Sequence, residues 1–197
     1  RTEFAYDALG RRTAKTTRRA DATVEQMVTW TYDQARAGFY NIGRLTTMTD
    51  PSGAATYNFD AAGRLVEGGR TVDGASYRFA KGYDAGGRLR YTTYPDGDTL
   101  GTPAAPLGYD GAGRLAAIPG IVTGASYTAW GELASQQNAN GTFTTRSFSA
   151  TRRWLTAIGT TRGTATIQNL GYARDAEGKI TSYRAFYDVD TMRPARD

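Results

Sequence analysis

The chain contains no cysteine and no histidine. Without cysteine there is no disulfide, no thiolate nucleophile and no cysteine-ligated zinc or iron–sulfur site. Without histidine the commonest general base and the commonest metal ligand are missing. Ser-His-Asp and Cys-His catalysis are therefore excluded within this sequence. Aliphatic residues are scarce too: Leu, Ile, Val and Phe fill 29 of 197 positions. No run approaches the roughly 18 apolar residues of a membrane-spanning helix. The first residues, Arg1-Thr2-Glu3-Phe4-Ala5-Tyr6, lack the apolar stretch of a signal peptide. Lysine is nearly absent, since 24 basic residues include only Lys15, Lys81 and Lys179. The positive charge, +5 net, is thus carried by arginine. Apart from the cluster between Arg11-Arg12 and Arg18-Arg19 it is spread along the chain, so no nucleic-acid partner is expected.

What replaces the missing aliphatic area is aromatic: 13 Tyr and 3 Trp, which bury most of their surface if the OH or NH finds a partner. Glycine, at 24 residues, is about twice its usual frequency. Many turns and a Tyr-built core point to an all-β chain. Period-two alternation supports this in Thr29-Trp30-Thr31-Tyr32, in 88–94 and in 142–148. Turn signals separate these stretches at Asp50-Pro51-Ser52-Gly53, Pro95-Asp96-Gly97-Asp98 and Asn138-Ala139-Asn140-Gly141, and 101–106 reads as a surface loop. No amphipathic 3.6-residue stretch exceeds about two turns. With no shift in composition along its length, the chain reads as a single segment over 1–197, its tail at 184–197 being the least defined part.

One pattern recurs: aromatic, Asp, two small residues, Gly, Arg, aliphatic. It appears at Tyr6-Asp7 with Gly10, at Phe59-Asp60 with Gly63-Arg64, at Tyr83-Asp84 with Gly87-Arg88, and at Tyr109-Asp110 with Gly113-Arg114. Looser copies are 39–45, around Gly43, and 127–133. The most degraded are 149–155, where Arg153 fills the Gly slot, and 174–180. Steps of roughly 18 to 33 residues are those of stacked supersecondary units, here about eight hairpins. Each residue type has a task. The aromatic and the aliphatic flank a hairpin loop, the Asp hydrogen-bonds the backbone two residues on, and the Gly takes the positive φ that ends the turn. The Arg can lie over a neighbouring ring or pair with the Asp.

This Tyr-Asp-x-x-Gly-Arg-Leu motif resembles the YD repeat of Rhs-family proteins, insecticidal toxin complexes and teneurins, and the resemblance runs from Tyr6 to Ile180. Two further stretches match the bacterial family: Trp30-Thr31-Tyr32-Asp33 leading to Gly38 and Gly43-Arg44-Leu45, and Arg152-Arg153-Trp154-Leu155-Thr156. The resemblance implies a spiralling ribbon of antiparallel β-hairpins forming part of a hollow shell. It implies a structural segment of a large toxin-delivery protein, secreted or displayed on a bacterial surface. The implied partners are the rest of a longer repeat chain or an enclosed toxin domain. The family's aspartyl self-cleavage segment is not matched. The nearest string, 50–56, has Thr56 where the second Asp belongs and reads as an ordinary turn.

The alternative function is a glycan- or partner-binding module using the aromatics outside the repeat positions: Trp30, Tyr91, Tyr94, Trp130 and Trp154. It requires several of them exposed together on one face, presented to cell-surface glycans. An enzyme is not expected. Asp96 with Asp98, and Asp188 with Asp190, are the only close acid pairs outside the repeat, and the first reads as turn chemistry. No catalytic residue, metal ligand or cofactor site is assigned.

Overall fold

The structure, a computed structural model, describes residues 1–187. The chain falls into two compact units, Arg1–Ala104 and Ala105–Asp197, whose boundary lies in the loop read from 101–106. In the first unit the strands are β1 (Thr2–Tyr6), β2 (Arg12–Arg18), β3 (Val24–Tyr32), β4 (Leu45–Asp50), β5 (Gly53–Phe59), β6 (Leu65–Val72), β7 (Ala75–Tyr83), β8 (Leu89–Thr93) and β9 (Thr99–Leu100). They form one nine-stranded sheet in which every strand pairs antiparallel with its neighbour in sequence. The second unit repeats this plan. A two-stranded sheet of β10 (Gly108–Tyr109) and β11 (Leu115–Ala117) precedes six strands: β12 (Val122–Tyr127), β13 (Leu133–Asn138), β14 (Thr142–Phe148), β15 (Leu155–Arg162), β16 (Ala165–Arg174) and β17 (Ile180–Tyr187). Each unit is thus a ribbon of hairpins, all-β and antiparallel, as the sequence predicts. The stretches at 29–32, 88–94 and 142–148 fall on β3, β8 and β14.

A ribbon one sheet thick buries little. Among the described residues Ala55 and Leu107 are the buried hydrophobics, while Asn41, Thr46, Asn58 and Thr92 are buried polar groups. Most aromatics are therefore half-buried, and they pack along the sheet. Gly68 pairs with Phe79, and Gly82 with Tyr91. In both pairs the ring lies where a Cβ on the glycine would stand. A cross-strand aromatic covers the backbone that the glycine leaves bare.

Cohesion then depends on the ladder hydrogen bonds and on what fastens the turns. Turns alternate between the two edges of each ribbon. On one edge lie short tips such as Asp73-Gly74 and Asp96-Gly97, where the Asp98 N–H donates to Asp96 Oδ1 at 3.0 Å, which is turn chemistry. On the other lie the repeat motifs.

Candidate functional site: the ladder of repeat turns

The four full copies share one geometry. The Asp N–H donates to the Arg carbonyl oxygen at 2.8–3.0 Å, and the Gly N–H to the Asp carbonyl oxygen at 2.9–3.0 Å. Gly10, Gly63, Gly87 and Gly113 have φ between 75° and 82°, the left-handed conformation that a Cβ disfavours. At Phe59↔Leu65, Tyr83↔Leu89 and Tyr109↔Leu115 the register shifts by one residue, so each repeat turn closes on a bulge. The Asp carboxylate spans the turn. Its Oδ1 accepts the Arg backbone N–H at 2.9 Å, and its Oδ2 accepts the Arg Nε–H at 2.7 Å.

These contacts hold the carboxylates below the usual Asp range. At Asp7 the Arg11 guanidinium is the largest cause, and at Asp84 and Asp110 it is the backbone N–H of Arg88 and Arg114. At Asp60 burial pushes upward and is outweighed by the N–H and guanidinium of Arg64.

The outer nitrogens of the same arginine reach the next turn. Arg11 donates to the Asp33 carboxylate at 2.6 and 3.2 Å, Arg64 to the Asp84 carbonyl at 2.9 Å, and Arg114 to the Thr128 carbonyl at 3.3 Å. The guanidinium groups of Arg11, Arg44, Arg64 and Arg114 also lie over the aromatic that opens the following turn. Arg11 covers Tyr32 at 4.4 Å, Arg44 covers Phe59 at 5.1 Å, Arg64 covers Tyr83 at 4.8 Å and Arg114 covers Tyr127 at 4.6 Å from the ring centroid. The sequence offered two tasks for this arginine, ring or Asp. It performs both, and so fastens one hairpin to the next.

The irregular copies keep this plan with exchanged parts. The copy around Gly43 is not built on Tyr40 and Asn41. Tyr32 pairs with Leu45, and the Asp33 N–H donates to the Arg44 carbonyl at 3.0 Å, so Tyr32 and Asp33 hold the aromatic and acid slots. Residues 34–42 are an insertion within the turn, and Gly43 keeps its place with φ 81°. Asn41 is instead buried, donating to the Gln34 carbonyl and Asn58 Oδ1 and accepting the Phe59 N–H, each at 3.1 Å. In the next irregular copy Thr128 and Glu132 replace Asp and Arg, and the Thr128 hydroxyl donates to Glu132. The missing guanidinium comes from Arg153, which donates to Glu132 at 2.7 and 2.8 Å and lowers its pKa. Arg153 itself fills a Gly slot, with φ 59°. There Trp154 takes the Arg slot, and its ring lies against Gly178 of the following turn.

Of the five aromatics outside the repeat, three are half-buried. Trp30 is half-buried beneath Arg12, 5.0 Å from its ring centroid, Tyr91 covers Gly82, and Trp154 covers Gly178. Tyr94 and Trp130 are exposed, one in each unit. Asp188 and Asp190 lie outside the described residues.

The RHS Repeat family profile matches residues 42–76, the stretch from the Gly43 turn through the Phe59–Leu65 turn into β7. The likeness to RHS repeats covers that stretch, and the same turn geometry recurs in both units. No curated protein sequence matches it significantly. Solved structures with the same fold include the crystal structure of TcdB2-TccC3, with TM-score 0.79 and 18% identity over 95% of this chain. The Photorhabdus luminescens Tc holotoxin pore matches with TM-score 0.64 and 18% identity over 95% of the chain. TcdB2-TccC3 without its hypervariable C-terminal region matches with 0.61 and 18% over 93%. The chain spans only 11% of the length of each of those chains. At such identity the likeness is one of fold. Two parts of the ladder are not legible in the sequence: Tyr32-Asp33 as repeat slots, and the Glu132–Arg153 exchange. Tyr32-Asp33 and Gly43-Arg44-Leu45 were both visible, and only their separation hid the turn.

Proposed function

We propose that this RHS ribbon is a wall segment of a large bacterial toxin-delivery protein, secreted or surface-displayed, and that its role is structural and not enzymatic. The observation that carries the reading is the ladder itself. In the four full copies the carboxylate and the guanidinium hold the turn together, and Arg11, Arg64 and Arg114 also join it to the next. The fold shared with TcdB2-TccC3 and the Tc holotoxin pore supports a place in that class of assembly. The ribbon's partners are then the flanking repeats of a longer chain or a toxin domain that those repeats enclose. The test is the mass and location of the natural gene product, detected with an antibody raised against this chain. A polypeptide several times 21.3 kDa in the medium or at the cell surface is expected. A cytosolic product of about 21 kDa would overturn the reading.

A further inference from the structure

The insertion 34–42 opens a cleft of about 580 Å³ against the Phe59–Leu65 turn, walled by Ala35, Ala37, Phe39, Tyr40, Ile42 and Arg44. The cleft is pre-formed. The Tyr40 N–H donates to the Phe59 carbonyl at 2.7 Å, buried Asn41 pins the loop to Asn58 and Phe59, and Arg36 anchors it. The Arg36 guanidinium donates to Gln34, Asn58, Thr47 and the carbonyls of Thr46 and Tyr57. Yet its mouth is apolar and open, with Tyr40 63% and Ile42 72% exposed.

Its charge is unbalanced because the insertion breaks the repeat rule. Arg11, Arg64, Arg88 and Arg114 each hold the Asp of their own turn. At this turn that carboxylate, Asp33, is taken by Arg11 and by the Gly43 N–H at 2.5 Å. Among the described residues the Arg44 guanidinium has the Phe59 ring and no carboxylate or hydrogen-bond acceptor. Arg36 is bound to neutral groups alone, and Asp60, the acid at the cleft, is held by Arg64. Two guanidinium groups without a directly paired carboxylate therefore border an apolar cleft.

We propose that this cleft docks an acidic peptide segment of another polypeptide. An Asp or Glu side chain accepts from Arg44, and a neighbouring aliphatic side chain packs on Phe39 and Ile42. Arginine's fork suits a carboxylate, and the volume fits a few side chains and not a folded domain. The proposal goes beyond the wall role and holds whether or not the ribbon encloses a toxin.

The test uses the full chain and a blocked, fluorescently labelled pentapeptide, Ala-Leu-Glu-Leu-Ala, with Ala-Leu-Gln-Leu-Ala as its neutral counterpart. The glutamate peptide should bind at least about tenfold tighter than the glutamine peptide, and more weakly as salt rises. Arg44→Gln should lose about tenfold, Arg44→Lys less, and Ile42→Ser several-fold, with hydrogen-exchange protection across β3–β6 falling by at most about fivefold in Arg44→Gln, the loss of one stacked pair, and unchanged in Ile42→Ser. Equal binding of the two peptides, no binding at millimolar concentration, or an undiminished Arg44→Gln variant would overturn the proposal. So would displacement by acetate at the same concentration as the peptide, because the apolar wall would then contribute nothing.

Discussion

Gly53→Ala is expected to be the most damaging single-methyl change in the ribbon. Gly53 opens β5 at φ 142°, a region that L-residues avoid, and it pairs with Val72 at the end of β6. A Cβ there would collide with the carbonyl oxygen and carbon of Thr71. That obstacle is backbone in the paired strand, so no side-chain rotation relieves it. Backbone strain of about 1–3 kcal/mol and about 1–2 kcal/mol for forcing packed groups apart together give about 2–5 kcal/mol. Gly10→Ala is the matched control. Its φ of 75° imposes the left-handed penalty, but nothing lies within 4 Å of the added methyl, so about 1–2 kcal/mol is expected. Between them lies Gly63→Ala, where the obstacle is the mobile end of Arg44. The assay is native-state amide hydrogen exchange of β5 and β6, which reads local opening and does not require the whole ribbon to unfold in one step. Protection there should fall by roughly 30-fold to several-thousand-fold in Gly53→Ala, at 1.4 kcal/mol per factor of ten. If Gly53→Ala and Gly10→Ala agreed within about 0.5 kcal/mol, the argument from the β5–β6 register would be wrong.

Three further outcomes are expected. Asp7, Asp33, Asp50, Asp84 and Asp110 all have pKa values lowered in the folded chain, Asp50 to about 2, chiefly through the Ser52 hydroxyl and then Arg70. A lowered carboxylate pKa stabilises the fold above the unfolded value of 3.8 and loses that contribution as pH falls through the folded value. With no histidine to titrate, thermal stability should be level from pH 8 to about 5 and decline from about 4 towards 2, and a decline beginning near pH 6 would contradict this. Gly82→Val should cost about 1–3 kcal/mol by driving into the Tyr91 ring, and Tyr91→Leu in the same chain should recover part of it, as read by thermal unfolding. Glu132→Arg, although it restores the repeat residue, should lower the melting temperature because it faces Arg153, and adding Arg153→Gly should reverse the loss.

The full repeat turns were legible because all their parts are local. An Asp two to four residues before the groups it binds, a Gly that must take positive φ and the flanking aromatic and aliphatic residues all fit within seven positions. The two-sided task of the arginine was half legible, since its ring and its Asp could each be named but not their simultaneous use. What failed was the turn at 32–45. Tyr40-Asn41-Ile42-Gly43-Arg44 imitates the motif within the usual window, whereas the true slots stand eight residues further from Gly43 and are identified only by the pairing of Tyr32 with Leu45. The Arg153–Glu132 link is non-local in the same way, joining residues 21 apart. Exposure of individual aromatics was also beyond reach of the sequence, because in a sheet of this thickness it depends on which glycine lies opposite each ring, as Tyr91 over Gly82 shows.

The central claim is that the repeat arginines Arg11, Arg64 and Arg114 join their own hairpins to the next. A double-mutant cycle on Arg64→Met and Tyr83→Leu, read by hydrogen exchange across β6–β8, tests it directly. A favourable coupling of about 0.5–1 kcal/mol is predicted for this stacked pair, with additivity for the control pair Arg64 and Tyr32, since Tyr32 lies under Arg11 and not under Arg64. Zero coupling between Arg64 and Tyr83, or equal coupling in both pairs, would contradict the ladder.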